Sequence, residues 1–242
     1  MTEHSAAPTA GSQTAGSQTL ARGLRALDTL AEAGGPLSIA ELAERLGVHR
    51  SNAYRLLRTL EEHRYVVRDE LGLIKLGPRL AALARGVSPA LQTAALPELT
   101  ELANSLGMTA FVAVLDIDHI VTLVSVEPSR AHPAVAQRPG ARHPLTRGAP
   151  GYAIESVLPA HVHRSLFGGE QLSPAAADAR SHGYALSHDE VVRGLTSVAV
   201  PLEITGESPA ALAIVNIGLP EELEQLARQL RDAAARIADS YR

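Results

Sequence analysis

The chain contains no cysteine and no tryptophan. The first absence excludes disulfides, thiolate catalysis and cysteine-ligated zinc or iron–sulfur centres. The second, with an aromatic content of only 3%, argues against a stacking platform for single-stranded nucleic acid, which needs exposed rings. No uninterrupted apolar run approaches the ~18 residues of a membrane span. The N-terminus also lacks the basic-then-apolar pattern of a secretory leader. A cytoplasmic protein with no membrane partner is the expectation. Lysine is nearly missing too, Lys75 standing against 21 arginines. Arginine suits phosphate recognition. Here it is spread over both halves of the chain, as a GC-rich genome would spread it, and so it locates no site.

What remains is ample for a core. Of 242 residues, 45% are hydrophobic and 20% charged, a composition that fits one or two domains and excludes disorder for most of the chain. The net charge of -4 is unevenly placed. Residues 1–86 hold eleven basic and nine acidic side chains, whereas residues 87–242 hold eleven and seventeen. The acidic total therefore hides a mildly basic front end.

Residues 1–18 are dominated by Ala, Gly, Ser, Thr and Gln, and the pentad Ala-Gly-Ser-Gln-Thr occurs at 10–14 and again at 15–19. Such a segment cannot offset its ordering entropy, and it reads as a flexible tail. From Thr19 onward Leu20, Leu24, Leu27, Leu30 and Ala31 recur at helical spacing until Gly34-Gly35-Pro36. Ser38-Ile39-Ala40-Glu41 is a capping box. The short helix it opens is broken at Gly47. Helical spacing resumes near Arg50 with Ala53, Leu56, Leu57 and Leu60. Two short helices about a glycine turn form a helix-turn-helix. The runs at 66–68 and 73–76, with a turn at 69–72, add a hairpin and make it the winged variant. Gly77-Pro78 opens a further helix to about 86, with Pro78 well placed in its first turn.

A double-stranded DNA partner follows from one face of the helix at 50–63. Opposite its apolar stripe lie Ser51, Arg55, Arg58 and Glu62, flanked by Tyr54 and Asn52. An α-helix fits the major groove, and an Arg fork matches guanine O6 and N7. Ser51, Asn52, Tyr54 and Arg55 are expected near base edges. Arg50 and Arg58, with Arg68 and Lys75 on the hairpin, are expected on phosphates.

The second half reads as an α/β domain. Helices are predicted over 89–106, 151–157, 159–166, 174–182 and 220–242. Strands are predicted over 108–115, 119–126, 184–187, 197–204 and 210–217, with a Pro- and His-rich loop at 127–146. Hairpins with helices against one face suggest a single antiparallel sheet. No nucleophile elbow, phosphate loop or zinc-protease motif is present, so no enzyme activity and no cofactor are expected. His161 and His163 point to different helix faces. His132, His143, His182 and His188 fall in or near loops and read as exposed polar residues rather than metal ligands.

The residues now carry a resemblance. Leu37-Ser38-Ile39-Ala40-Glu41-Leu42-Ala43, the run from Ser51 to Leu60, Tyr65-Val66-Val67-Arg68-Asp69, and Leu76-Gly77-Pro78-Arg79-Leu80 resemble successive segments of IclR-type transcriptional regulators. Gly183-Tyr184-Ala185, with Glu190, Gly194 and Ser197-Val198-Ala199-Val200-Pro201, is similar to their effector-domain signature. The resemblance spans roughly 19–242. It implies a tail (1–18), a winged helix-turn-helix DNA-binding domain (19–77), a linker helix (78–88) and a GAF-like effector-binding and oligomerisation domain (89–242). It implies a homodimer or homotetramer that senses a small organic molecule. It places effector contacts at Ala149, Pro150, Ser187, Ser197, Ala213 and Val215, with Asn216 as the alternative on the last strand. These residues depart from the pattern that binds small 2-oxo acids. The expected effector is therefore bulkier and partly hydrophobic or aromatic, with any carboxylate met by Arg138, Arg142 or Arg147. The competing reading is a winged-helix protein-interaction adaptor or a GAF-like enzyme that binds no DNA.

Overall fold

A computed structural model describes residues 17–130, 135–218 and 222–241, which form two compact units meeting in sequence at Val87 and Ser88. Most of the expected tail, and His132, lie outside the described residues.

In the first unit, α1 (Gln18–Glu32) starts inside the segment read as tail, because the Ser17 hydroxyl accepts from the Leu20 amide. The capping box opens α2 (Ile39–Leu46). The Ser38 amide donates to Glu41 Oε2 at 2.8 Å, and the Glu41 amide donates to Ser38 Oγ at 3.2 Å. These bonds hold the Glu41 carboxyl below its ordinary value. Gly47, at φ 63°, ends α2 in the left-handed conformation glycine supplies. The turn then enters α3 (Arg50–Glu62). The wing is β1 (Val66–Arg68) and β2 (Ile74–Leu76), and Leu37 bridges Ile74 as a third antiparallel element. Its turn is tied by Asp69, which accepts from the Leu71 and Leu73 amides at 3.0 and 2.9 Å. The helix α4 (Pro78–Ala84) closes the unit. Ala26, Leu30, Leu42, Leu57, Val66 and Ile74 form the core. Leu20 and Leu24, counted in the apolar stripe of α1, are instead 63% and 54% exposed.

The second unit is built on one six-stranded antiparallel sheet, ordered β5-β4-β3-β8-β7-β6. Its elements are α5 (Pro89–Leu106), β3 (Thr109–Asp116), β4 (His119–Val126), β5 (Arg142–Pro144), α6 (Ala149–Val157), α7 (Ala160–Phe167), α8 (Pro174–His182), β6 (Ala185–His188), β7 (Leu195–Leu202), β8 (Ala210–Ile217) and α9 (Leu223–Ser240). Helices cover both faces of the sheet, not one. Ala110, Val112, Leu212 and Ile214 pack toward α5 and α9, whereas Phe111, Ala113, Ala213 and Val215 pack toward α6 and α8. This is the period-2 alternation of β3 and β8, with both sides apolar. β5 falls within the segment expected as loop, since three residues ending in proline carry no strand signal of their own. It exists because His143 pairs with Ile120 on the open edge of β4.

The register of α6 is set by close packing. A methyl group at Gly151 would lie 2.1 Å from the Leu145 carbonyl oxygen. Gly151→Ala should therefore cost about 3 kcal/mol, the upper end for overpacking. A fall in the denaturation midpoint checks this, and an unchanged midpoint would show that α6 can shift freely.

Candidate nucleic-acid interface and ligand cavity

α3 buries Ala53 and Leu57 and presents Arg50, Ser51, Asn52, Tyr54, Arg55 and Arg58 to solvent. The face predicted to meet DNA is thus outward within its own unit. Its residues are not equally available. Among the described residues Arg50, Arg55 and Lys75 have no carboxylate partner, whereas Arg58 donates from Nε to Glu62 at 3.1 Å. Arg68 is more fully engaged. Its Nε and Nη2 donate to the two Glu61 oxygens at 2.6 and 3.0 Å, and its guanidinium lies 5.7 Å from the Tyr54 ring centre. Arg68 thereby ties the wing to α3 and backs Tyr54, so it is less free for a phosphate than expected. His49 caps α3 and was not singled out from the sequence. Its Nδ1 lies 2.9 Å from Ser51 Oγ and accepts from the Ser51 amide at 3.4 Å. Leu71, at the wing tip, is 85% exposed.

Beside α3, between α1 and α4, runs an open groove of about 840 Å³ lined by apolar side chains including Leu20, Leu24, Leu56 and Leu83. Asn52 and Arg55 stand in its wall.

In the second unit a small cavity of about 50 Å³ lies over the end of the sheet. Its floor is a row across three strands, where Ser187 pairs with Ser197 and Ser197 with Val215. Phe111, Pro150 and Leu195 add apolar walls, and the exposed Val191 and Val192 stand at its margin. Gly148, which precedes α6, is packed so closely that an added methyl would lie 2.9 Å from a Val191 methyl. The polar groups are bound to one another. The Gly148 amide donates to Glu190 Oε2 at 2.9 Å, the Tyr152 hydroxyl donates to the same oxygen at 2.6 Å, and the Ala149 amide donates to Ser187 Oγ at 2.9 Å. Burial, then the Glu190 carboxylate, push the Tyr152 phenol up to about 12. Burial holds the His143 imidazole below its ordinary value. Its Nδ1 faces the Pro144 carbonyl at 3.1 Å and so carries the proton.

Residues 19–70 match the IclR helix-turn-helix domain, and residues 87–239 match the bacterial transcriptional regulator IclR C-terminal domain. The chain belongs to the IclR family of DNA-binding transcriptional regulators. It is 32% identical over 210 residues to the HTH-type transcriptional regulator Rv1719 of Mycobacterium tuberculosis, covering 86% of this chain and 80% of that protein. An IclR transcriptional regulator structure from Alicyclobacillus acidocaldarius superposes with a TM-score of 0.79 at 26% identity, covering 94% of this chain and all of that one. An IclR homologue from Microbacterium hydrocarbonoxydans, complexed with 4-hydroxybenzoate, gives 0.79 at 24% identity over 93% of this chain and 99% of that one.

Within this IclR-family chain the structure brings together Pro150, Ser187, Ser197 and Val215 at the cavity, with Ala149 bonded to Ser187 beside them. Ala213 faces the same side but is fully buried beneath α6 and does not line it. Asn216 alternates to the opposite face from Val215 and is not among the residues lining the cavity. Arg138, Arg142 and Arg147 are exposed and line no part of the cavity. Arg147 turns its guanidinium onto the Glu190 carbonyl instead. Sequence reading missed Gln137, His143, Glu190 and the valine pair. Glu190 alone carried a signal, as part of the effector-domain signature. Among the described residues no group of three or more His, Asp or Glu is placed to hold a metal, and no helix is long and apolar enough to cross a membrane.

Proposed function

We propose that this regulator is a non-enzymatic, ligand-responsive DNA switch. α3 enters the major groove, where Ser51, Asn52, Tyr54 and Arg55 read base edges. Arg50, Arg58 and Lys75 hold phosphates, and Arg68 chiefly positions Tyr54. The observation that carries this reading is the outward face of α3, on which Arg50 and Arg55 have no carboxylate partner among the described residues.

The cavity formed by Pro150, Ser187, Ser197 and Val215 is the effector site. The relative complexed with 4-hydroxybenzoate supports a small organic molecule as effector. About 50 Å³ holds only a few waters, so an aromatic ligand needs the exposed Val191 and Val192 at the margin to swing aside. Such opening gives the ligand the differential affinity for two states that regulation requires. The apolar groove beside α1 is where a second copy would bury Leu20 and Leu24. Dimers of this kind would present two α3 helices to the halves of an approximately palindromic operator.

A gel shift with genomic fragments across a salt series tests the reading. Specific duplexes should be retarded, with log affinity falling linearly in log salt. No retardation at low salt would favour the adaptor reading, in which the winged helix docks protein.

A further inference from the structure

The cavity has an unusual hydrogen-bond balance, and the inference drawn from it rests on the cavity being the effector site. The three residues that open α6, Gly148, Ala149 and Pro150, offer an acid no free backbone donor. The Gly148 amide is bound to Glu190, the Ala149 amide to Ser187, and Pro150 has no N–H. The side-chain donors are similarly engaged. The Tyr152 hydroxyl is on Glu190, Gln137 Nε2 donates to Thr122 Oγ1 at 2.7 Å, and Ser197 Oγ donates to the Ile214 carbonyl at 2.8 Å. The Nδ1 proton of His143 is directed to the Pro144 carbonyl. What these groups leave over is mostly lone pairs, and the exceptions are the second Nε2 proton of Gln137 and the proton of the 93%-buried Ser187 hydroxyl. Among the described residues no Arg or Lys lines the cavity. A carboxylate already stands there, that of Glu190.

We propose that the cavity selects an uncharged ligand that donates hydrogen bonds, such as an alcohol or a primary amide, and rejects carboxylates. Glu190 is the specificity-determining residue. Its carboxylate takes the bonds that an acid would need and repels a second negative charge in the same small space. A hydroxyl or amide N–H finds acceptors waiting, whereas an acid finds few donors to replace its water and a like charge beside it. A site built of acceptors discriminates in this way because the wrong ligand leaves buried polar groups unpaired on both sides.

The test uses the full-length protein and two near-isosteric pairs, pyruvate with hydroxyacetone and benzoate with benzamide, titrated by calorimetry. At least one neutral member should bind about tenfold or more tightly than its acid. Glu190→Gln keeps an acceptor for Gly148 and removes the charge, so it should lower that preference about tenfold or invert it. Glu190→Ala removes the carboxylate altogether and frees the Gly148 amide, so it should raise acid affinity, which keeps the idea testable if the first variant folds poorly. An acid that binds wild type as well as its neutral partner would overturn the proposal. So would a preference that neither variant moves. Absence of binding by all four probes would overturn the cavity as a site for such ligands. The gel shift described above reports on the regulator reading independently, because it needs no effector.

Discussion

Arg55→Ala should weaken binding to the cognate operator by about 1–3 kcal/mol, or roughly 5- to 150-fold, while leaving random-duplex binding nearly unchanged. Arg55 lies in the N-terminal half of α3, its side chain is exposed, and no carboxylate among the described residues holds it. A guanidinium in that position can form both bonds to a guanine edge without first breaking an ion pair. Arg58, one turn further on, is already paired with Glu62. An exposed pair of this kind is worth little. Arg58→Ala should nevertheless act differently from Arg55→Ala, lowering affinity on all duplexes alike and reducing the salt slope by about one. The operator can be selected from a pool of random-sequence duplexes. Because Arg55 also stands in the wall of the apolar groove, the oligomeric state of the variant must be measured alongside. Loss of operator binding with unchanged assembly and unchanged nonspecific binding supports base reading. Equal loss on all sequences would reassign Arg55 to phosphate contact.

The front end was largely legible because its signals are local. A capping box, a glycine turn and a 3.6-residue apolar period are each written within a few positions, and α2, α3 and the wing appear where those signals put them. Where the reading missed, the cause was a contact that no short pattern encodes. Arg68 looked like a free cation until the fold brought Glu61 and Tyr54 to it. Leu20 and Leu24 satisfy the helical period yet stay mostly exposed within their own unit. In the back half the alternation of β8 correctly put Ala213 and Val215 on one face, but the sequence carries no sign that α6 covers the first and leaves the second at the cavity. The arginines of the 138–147 segment were plausible acid receptors by composition alone. Their exclusion depends on where the cavity closes, which is set by contacts between β6, β7 and the start of α6. Glu190 lies 42 residues beyond Gly148, so its hold on α6 could not be read from spacing.

Glu155→Ala should be the most destabilising of the substitutions considered, by about 3–5 kcal/mol. Glu155 is on α6 and is 1% exposed, beside His163 at 2%. Its Oε1 accepts from the Ser173 amide at 2.7 Å and lies 3.3 Å from His163 Nε2, and its Oε2 accepts from the Ser173 hydroxyl at 2.7 Å. The other imidazole nitrogen, Nδ1, faces the Gly169 carbonyl at 2.8 Å, and the ring stacks on Phe167 with centres 4.5 Å apart. Both ring nitrogens thus face oxygens, and one carboxylate ties α6 to α7 and to the residue that caps α8. Removing it leaves an imidazole edge, an amide and a hydroxyl without that partner, in a place water reaches poorly. Glu155→Gln keeps the shape and one acceptor but turns an N–H₂ group toward donors, so its cost should fall between wild type and Ala. Chemical denaturation gives the ranking directly. The same helix begins at the cavity, with Ala149 and Pro150 in its first turn, so a loosened α6 should also weaken whatever ligand the cavity holds. If Glu155→Ala unfolds at the wild-type midpoint, the cluster does not anchor α6, and the packing of Gly151 against Leu145 must hold the roof of the site alone.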